Sequence, residues 1–326
     1  MTKQIFIPNT DLGPLFPFGL GTTAAGLKWV GTEADAVFDT FLDLGGNVID
    51  TARVYSDWAP GVIGRSELTI GQWLKKSGKR HQVVLMTKGG HASLLEMPPD
   101  MHKVRLSREE MTKDLELSLQ ALGTDCIDIY MYHRDDESRS VEELVETMED
   151  FVRQGKIRYY GCSNWKLSRI KEAAAYCESK GYRGFVVNEV LFNIGTAYMD
   201  PPADDTLVWM DTAMTAWHKE NPQVLPLAYF GNCGGFFQRY LEGKPLDEAN
   251  KAYLTEGNKA VARRITELAK KYNATILQIV LGFFTQLDFN CIPLFGPRNG
   301  ENLREAMEIF HIPFEEEDYI FLPQTH

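Results

Sequence analysis

Eight short apolar runs, separated by amphipathic stretches from one end of the chain to the other, restrict what this sequence can become. They fall at 18–21, 48–50, 83–87, 127–132, 157–161, 184–188, 224–228 and 291–293. The stretches between them carry helix signals. Thr32 reads as a cap for the helix that closes on Gly45 and Gly46. Ser107 is followed by Glu110, and Ser140 by Glu143, at the spacing of a capping box. Strand and helix repeated eight times, with parallel crossovers, specify an α/β layer. Eight units in a chain of about 300 residues suit a closed (β/α)8 barrel, the TIM barrel.

A doubly wound sheet is the main rival, and it would carry a glycine-rich phosphate loop after its first strand. The sequence there, GLGTTAAG at 19–26, keeps G-x-G but lacks the third glycine. It reads as a tight turn beneath a barrel mouth. Upstream, KQIFIPNTDLGPLFPF reads as two short strands around a turn, a hairpin closing the barrel bottom. No linker or compositional break divides 1–326, so a single domain is expected. The segment 229–256, rich in Gly, Phe and Asn, shows no clear pattern. A long loop inside a compact domain is commonly functional or mobile.

Composition removes several classes of function. The formal net charge of −11 argues against nucleic acid as a partner, because phosphate binding needs concentrated Lys and Arg. The five cysteines are scattered, and no pair has metal-ligand spacing, so no metal site is expected. Free thiols suit a reducing compartment. The first residues show no signal peptide, and no apolar run reaches the roughly 18 residues of a membrane helix. A cytoplasmic protein without membrane partners is the expectation. Nothing in the sequence fixes an oligomeric state.

In a barrel, chemistry gathers where strands end. The second run ends at Asp50, with Tyr55 in its loop; the third ends at Lys88 and the fourth at His133. The fifth ends at Ser163 and Asn164, the sixth at Asn188 and Glu189, the seventh at Tyr229. Singly, a terminal Lys is commonly a solvated group and a His a hydrogen-bonded core residue. Together, Asp, Tyr, Lys and His at one mouth form a proton-transfer set. A phenol titrates near 10, and an adjacent ammonium favours the phenolate. Lys88 is therefore expected to bring Tyr55 closer to use as an acid or base. Asp50 would orient and neutralise Lys88, and His133 would hydrogen-bond a carbonyl oxygen.

These segments resemble the aldo-keto reductases over nearly the whole length. NVIDTARVY looks like that family's second-strand signature, MTKGG its lysine strand and YMYHRDD its histidine strand. IRYYGCSNW is similar to the segment that holds the nicotinamide amide, and PLAYFG to the one whose Tyr stacks on the nicotinamide ring. The resemblance implies hydride transfer between a nicotinamide and a carbonyl or alcohol, with Tyr55 as general acid or base. Lys88 and Asp50 would tune Tyr55, and His133 would orient the carbonyl. It assigns cofactor contacts to Gly21, Thr22, Asp50, Ser163, Asn164, Glu189, Tyr229, Phe230, Gly231, Gly296, Arg298, Asn302 and Glu305. Arg298 favours NADPH, with NADH still possible, because guanidinium suits a 2′-phosphate.

Three departures from the family pattern stand out. Glu189 occupies a position where Gln is usual. Phe230-Gly231-Asn232 replaces a Ser-Pro-Leu run, and Ala306 stands where Asn is common.

For substrate, Trp29, Trp58 and Trp165 offer aromatic walls beside Tyr55, His133 and Asp135. Aromatic faces with acceptor carboxylates suggest a sugar, glycoside or polyol. Two alternatives stay open. One is a nucleotide-binding regulatory barrel with little turnover. The other is a metal-dependent isomerase, which would need clustered His, Asp and Glu ligands at strand ends.

Overall fold

The computed structural model describes residues 2–95 and 98–319. Eight parallel strands close into a barrel in sequence order, β1 (Gly19–Gly21), β2 (Val48–Asp50), β3 (Val84–Gly89), β4 (Ile127–Tyr132), β5 (Ile157–Ser163), β6 (Phe185–Leu191), β7 (Leu225–Tyr229) and β8 (Ile292–Phe295). β8 pairs back with β1 through Gly19–Leu294 and Leu20–Phe295. Each expected strand is present. Several run further towards their C-terminal ends than the apolar runs suggest, because the strands continue into polar residues.

Side-chain alternation explains that continuation and places the site. Successive strand residues face opposite sides. The barrel interior is filled by Val48 of β2, Val84 and Met86 of β3, Ile129 and Met131 of β4, Val187 of β6, Leu225 and Leu227 of β7, and Ile292 and Leu294 of β8. One more step of two along β2, β3, β4, β6 and β7 reaches Asp50, Lys88, His133, Glu189 and Tyr229. Gly161 leaves room for this packing, since a Cβ there would lie 2.4 Å from Val187.

The N-terminal segment supplies the bottom of the same core. Ile5, Ile7, Leu12 and Leu15 pack with the interior residues. The expected hairpin is reduced to one antiparallel bridge, Ile5 with Leu15. Their two backbone hydrogen bonds, 2.9 and 2.8 Å long, are the extent of its pairing.

Helices wrap the outside: α1 (Thr32–Asp43), α2 (Arg65–Ser77), α3 (Arg108–Leu122), α4 (Val141–Arg153), α5 (Leu167–Lys180), α6 (Thr212–Glu220), α7 (Phe236–Leu241), α8 (Glu248–Lys251), α9 (Glu256–Tyr272), α10 (Ile276–Gly282) and α11 (Gly300–Met307). Ser107 forms the full capping box with Glu110. Ser140 accepts from the Glu143 amide, but the Glu143 carboxylate turns to Arg139 instead of closing the box. Thr32 opens its helix as the first helical residue, and Gly31, at φ 55°, takes the cap position. The segment 229–256 is also more ordered than its composition suggests. It folds into a 3-10 turn, α7 and α8, anchored by buried Phe236, which stacks on Tyr240 and Tyr253.

Helices α2 and α3 meet at Gly71, where an added Cβ would lie 2.1 Å from the carbonyl oxygen of Ala121 and 2.9 Å from the Leu122 carbonyl carbon. Both are backbone atoms and cannot rotate away. Gly71→Ala is therefore expected to lower the unfolding free energy by about 1–3 kcal/mol, the scale of overpacking. Denaturant unfolding monitored by circular dichroism checks this, and an unchanged midpoint would show that the two helices can separate without cost.

Candidate active site

Lys88 ends the inward face of β3, and its side chain is fully buried. Its ammonium donates to Asp50 Oδ1 at 2.7 Å, to the Thr51 carbonyl at 2.9 Å and to Tyr55 Oη at 3.1 Å. Asp50 reaches it from the adjacent end of β2, in a register that pairs Asp50 with Met86. Tyr55 is carried back over the same strand end by a turn whose Tyr55 amide donates to the Ala52 carbonyl. The expected grouping of Asp50, Tyr55 and Lys88 is thus present as direct contacts.

Burial is the largest influence on each of these groups. It would lower Lys88, but Asp50, Glu189 and Tyr55 outweigh it and hold the ammonium above its usual range. Burial also pushes Tyr55 up, and the pull of Lys88 only partly offsets this, because Asp50 and Glu189 act in the same direction as burial. An adjacent Lys88 alone would bring Tyr55 down. The net direction is upward, because a phenolate here would face two carboxyl groups as well as one ammonium.

His133 lies beside this cluster. Its ring centroid is 5.7 Å from that of Tyr55 and 4.5 Å from that of His91. Burial, then His91, Lys88 and Arg134, hold His133 well below its ordinary range, so it is a neutral imidazole. Its Nδ1 is buried without a hydrogen-bond partner among the described residues. His91, pushed down to about 4 chiefly by burial, bonds through Nδ1 to the Ala92 carbonyl oxygen. His91 follows Lys88 in its loop, but only the fold shows it packed on His133.

At the ends of β5, β6 and β7 a second set converges. Tyr229 donates through its hydroxyl to Asn164 Oδ1 at 2.6 Å, and the Val208 amide donates to the same oxygen at 3.1 Å. Asn164 Nδ2 donates to Ser163 Oγ at 3.0 Å. The Asn164 amide is therefore fully engaged within the protein. Glu189 is register-paired with Ser163 and points at Lys88, with Oε2 3.1 Å from Nζ. Phe230 is exposed, and its carbonyl oxygen accepts from Asn193 Nδ2, a residue the sequence reading did not single out. Gly231 packs near Pro293.

The ends of β1 and β8 form a third set. Gly21 and Gly296 lie against each other; a Cβ on Gly296 would stand 3.4 Å from the Gly21 carbonyl oxygen. The Thr22 hydroxyl is used internally, donating to the Asp50 carbonyl at 2.8 Å beside Ser66 Oγ, and its backbone is engaged as well, the N–H on the Asp50 carbonyl and the carbonyl accepting from the Ala25 amide and the Ser66 hydroxyl. Asn302 accepts from the Arg298 amide and donates to Glu305, which fixes this loop around the start of α11. The Arg298 side chain is exposed and has no ion pair among the described residues.

Three expected substrate residues are placed elsewhere. Trp29 is fully buried, donates to the Pro297 carbonyl and meets Phe38 edge-on. Trp165 is also fully buried, stacked on Tyr132 with its indole N–H on the Arg134 carbonyl. It follows inward Ser163 by two residues, but the strand has ended and the chain turns at Asn164, which has φ 57°. Asp135 is paired with Arg169 at 3.0 and 3.2 Å and belongs to the packing of α5. Trp58 remains partly exposed in the loop after β2.

A closed barrel with its ionisable groups gathered at the strand C-terminal ends is the layout of a barrel enzyme. Residues 17–321 match the model of the Aldo/keto reductase family, so the chain belongs to that family and is an NAD(P)-dependent oxidoreductase. It is similar to a protein of Phanerodontia chrysosporium named aryl-alcohol dehydrogenase (NADP(+)), with 28% identity over 333 residues, covering 95% of this chain and 82% of that protein. It is also 28% identical to an uncharacterised oxidoreductase of Bacillus subtilis (strain 168), covering 91% of this chain and 88% of that one. Norsolorinic acid reductase B of Aspergillus parasiticus is 28% identical, over 87% of this chain and 72% of its own length. Among the described residues no helix is long and apolar enough to cross a membrane, and no group of three or more His, Cys, Asp or Glu is placed to hold a metal ion.

The Asp135–Arg169 pair yields a structural prediction. Removing one partner of a buried pair leaves the other uncompensated. Asp135→Ala is expected to cost on the order of 3 kcal/mol of stability. Its kcat/KM should change by the same factor for a sugar aldehyde and for a plain aromatic aldehyde. A selective loss with the sugar would return Asp135 to the substrate site.

Proposed function

We propose that the chain acts as one domain that reduces a small-molecule carbonyl with NADPH, and that Tyr55 is the proton donor. The carrying observation is the Lys88 ammonium, bonded at once to Asp50 and to the Tyr55 hydroxyl inside the barrel mouth.

The residues present fit a nicotinamide dinucleotide phosphate. Gly21 and Gly296 give side-chain-free backbone where two strand ends meet. Arg298 offers a guanidinium without a carboxylate partner among the described residues, suited to the 2′-phosphate. Asn302 and Glu305 shape the same loop. Tyr229, held by Asn164, presents a flat face for the nicotinamide ring, with Phe230 and Gly231 forming the adjoining wall. The Ser163 hydroxyl serves the carboxamide, since Asn164 is already engaged. The bound cofactor supplies the hydride.

The protein then manages one proton. His133, a neutral imidazole beside Tyr55 at the end of β4, donates a hydrogen bond to the carbonyl oxygen and positions it. Tyr55, held above the usual phenol range, keeps its proton until the oxygen becomes basic, then transfers it from Oη. Lys88 supports the phenolate left behind, and Asp50 keeps Lys88 in place.

The substrate class is an aromatic aldehyde or ketone. Relatives named for aryl alcohols and for norsolorinic acid support it, as do the partly exposed rings of Trp58, Trp209 and Phe230 in the loops after β2, β6 and β7. The polyhydroxylated class loses Trp29, Trp165 and Asp135, which carried it.

Tyr55→Phe keeps the ring and loses the transferable proton. It is expected to lower kcat by about 10²–10⁴-fold, the range of general acid catalysis, with NADPH affinity unchanged by fluorescence titration. Near-normal kcat would remove Tyr55 from proton transfer. For cofactor choice, Arg298→Ala should weaken NADPH by about 1–3 kcal/mol, the scale of hydrogen bonds to charged groups, and leave NADH unaffected. Equal weakening of both would mean that Arg298 does not read the 2′-phosphate.

A further inference from the structure

Two carboxyl groups, not one, meet the Lys88 ammonium. Glu189 and Asp50 are each only 3% exposed at the side chain. Asp50 Oδ1 at 2.7 Å and Glu189 Oε2 at 3.1 Å approach the same ammonium from β2 and β6, which brings the two carboxyl groups together across the barrel. An ammonium has three N–H donors. Those of Lys88 go to Asp50 Oδ1, the Thr51 carbonyl and Tyr55 Oη. None remains for Glu189 Oε2, which lies 3.1 Å from Nζ but has no aligned hydrogen bond. A second buried carboxylate, without a donor and against a first, is costly. The arrangement is satisfied when Glu189 carries a proton and gives it to Asp50 in a hydrogen bond.

We propose that Glu189 is a positioning residue of the proton-transfer site, held as an un-ionised carboxyl that shares its proton with Asp50, and that loss of this proton retards ionisation of Tyr55. The proposal rests on the reductase reading given above. The titratable groups facing Glu189 are Asp50, Lys88, Tyr55 and Tyr229. Burial, followed by Asp50, pushes Glu189 up to about 8 against the pull of Lys88. Below that pH the cluster holds Asp50 as an anion, Lys88 as a cation and two neutral groups, so its charge is balanced. Above it the cluster gains one negative charge. A phenolate at Tyr55 is then harder to form, and Tyr55 stays a proton donor to higher pH.

Gln at this position keeps the shape and a permanent N–H donor for Asp50 and cannot ionise. In Glu189→Gln the basic limb for alcohol oxidation, which needs the Tyr55 phenolate, should move down by about one pH unit or more. The alkaline fall in carbonyl reduction should move down with it.

A second readout needs no turnover. Infrared difference spectra of the cofactor-free protein should show the carbonyl stretch of an un-ionised carboxylic acid that disappears near pH 8 and is absent from Glu189→Gln. Glu67, buried and pushed up to about 7, contributes a separate band that Glu67→Gln identifies. If Glu67→Gln retains no band titrating near pH 8, the proposal is overturned, whether or not Glu189→Gln folds. Unmoved pH limbs combined with weaker NADPH binding would also overturn it and make Glu189 a cofactor contact alone. If wild type reduces no carbonyl with either nicotinamide, the reductase reading fails, and the infrared titration still decides the state of Glu189.

Discussion

A charged lysine inside a β-barrel is the constraint around which this molecule is arranged. An ammonium removed from water loses its proton unless partners hold it. Lys88 keeps its charge through Asp50, the Thr51 carbonyl and Tyr55, all supplied by the end of one neighbouring strand and its loop. That arrangement depends on register. A slip of one residue between β2 and β3 would turn Asp50 and Lys88 to opposite faces of the sheet. The dependence also runs the other way, because leaving one member of a buried ion pair alone costs about 3–5 kcal/mol. The site therefore helps specify the barrel that builds it.

Apolar runs that end on a polar residue made most of this legible in the sequence. A period of two marks the inward face of each strand, and the first polar residue beyond the apolar filler names Asp50, Lys88, His133 and Glu189. The same rule fails once a strand has ended. Trp29 and Trp165 lie near the mouth in sequence, but the turns that carry them run outward, and nothing in the local sequence reports a turn's direction. Asp135 was misread for a related reason. Its partner Arg169 lies 34 residues ahead on a helix, and no local pattern links the two. Comparable separations in sequence hid the packing of His91 on His133 and the hold of Asn193 on the Phe230 carbonyl.

Backbone strain gathers where the ligands would sit. Of the non-glycine residues with positive φ, Ser56, Asn164, Phe230 and Cys233 all lie in loops at the mouth. Left-handed backbone at such residues costs on the order of 1 kcal/mol each and persists only where neighbours enforce it. Here the enforcement is visible. Ser56 donates to the Thr23 carbonyl, Asn164 is tied to Tyr229 and Val208, and Asn193 grips Phe230. The unusual Phe230-Gly231-Asn232 sequence thus has its own support, built from a residue just past the end of the neighbouring strand β6.

The plug formed by Ile5, Ile7, Leu12 and Leu15 bears on how the molecule folds. It seals a core that also contains Ile292 and Leu294. The two sets are far apart in the sequence and meet only in the closed barrel. Until β8 is in place, β1 has an open edge and the plug has an incomplete socket, so apolar surface at both waits for the barrel to close. Contacts this distant in sequence slow folding and leave sticky intermediates exposed. A folding chain of this kind is most vulnerable just before the barrel closes, when seven strands are in place and a gap remains.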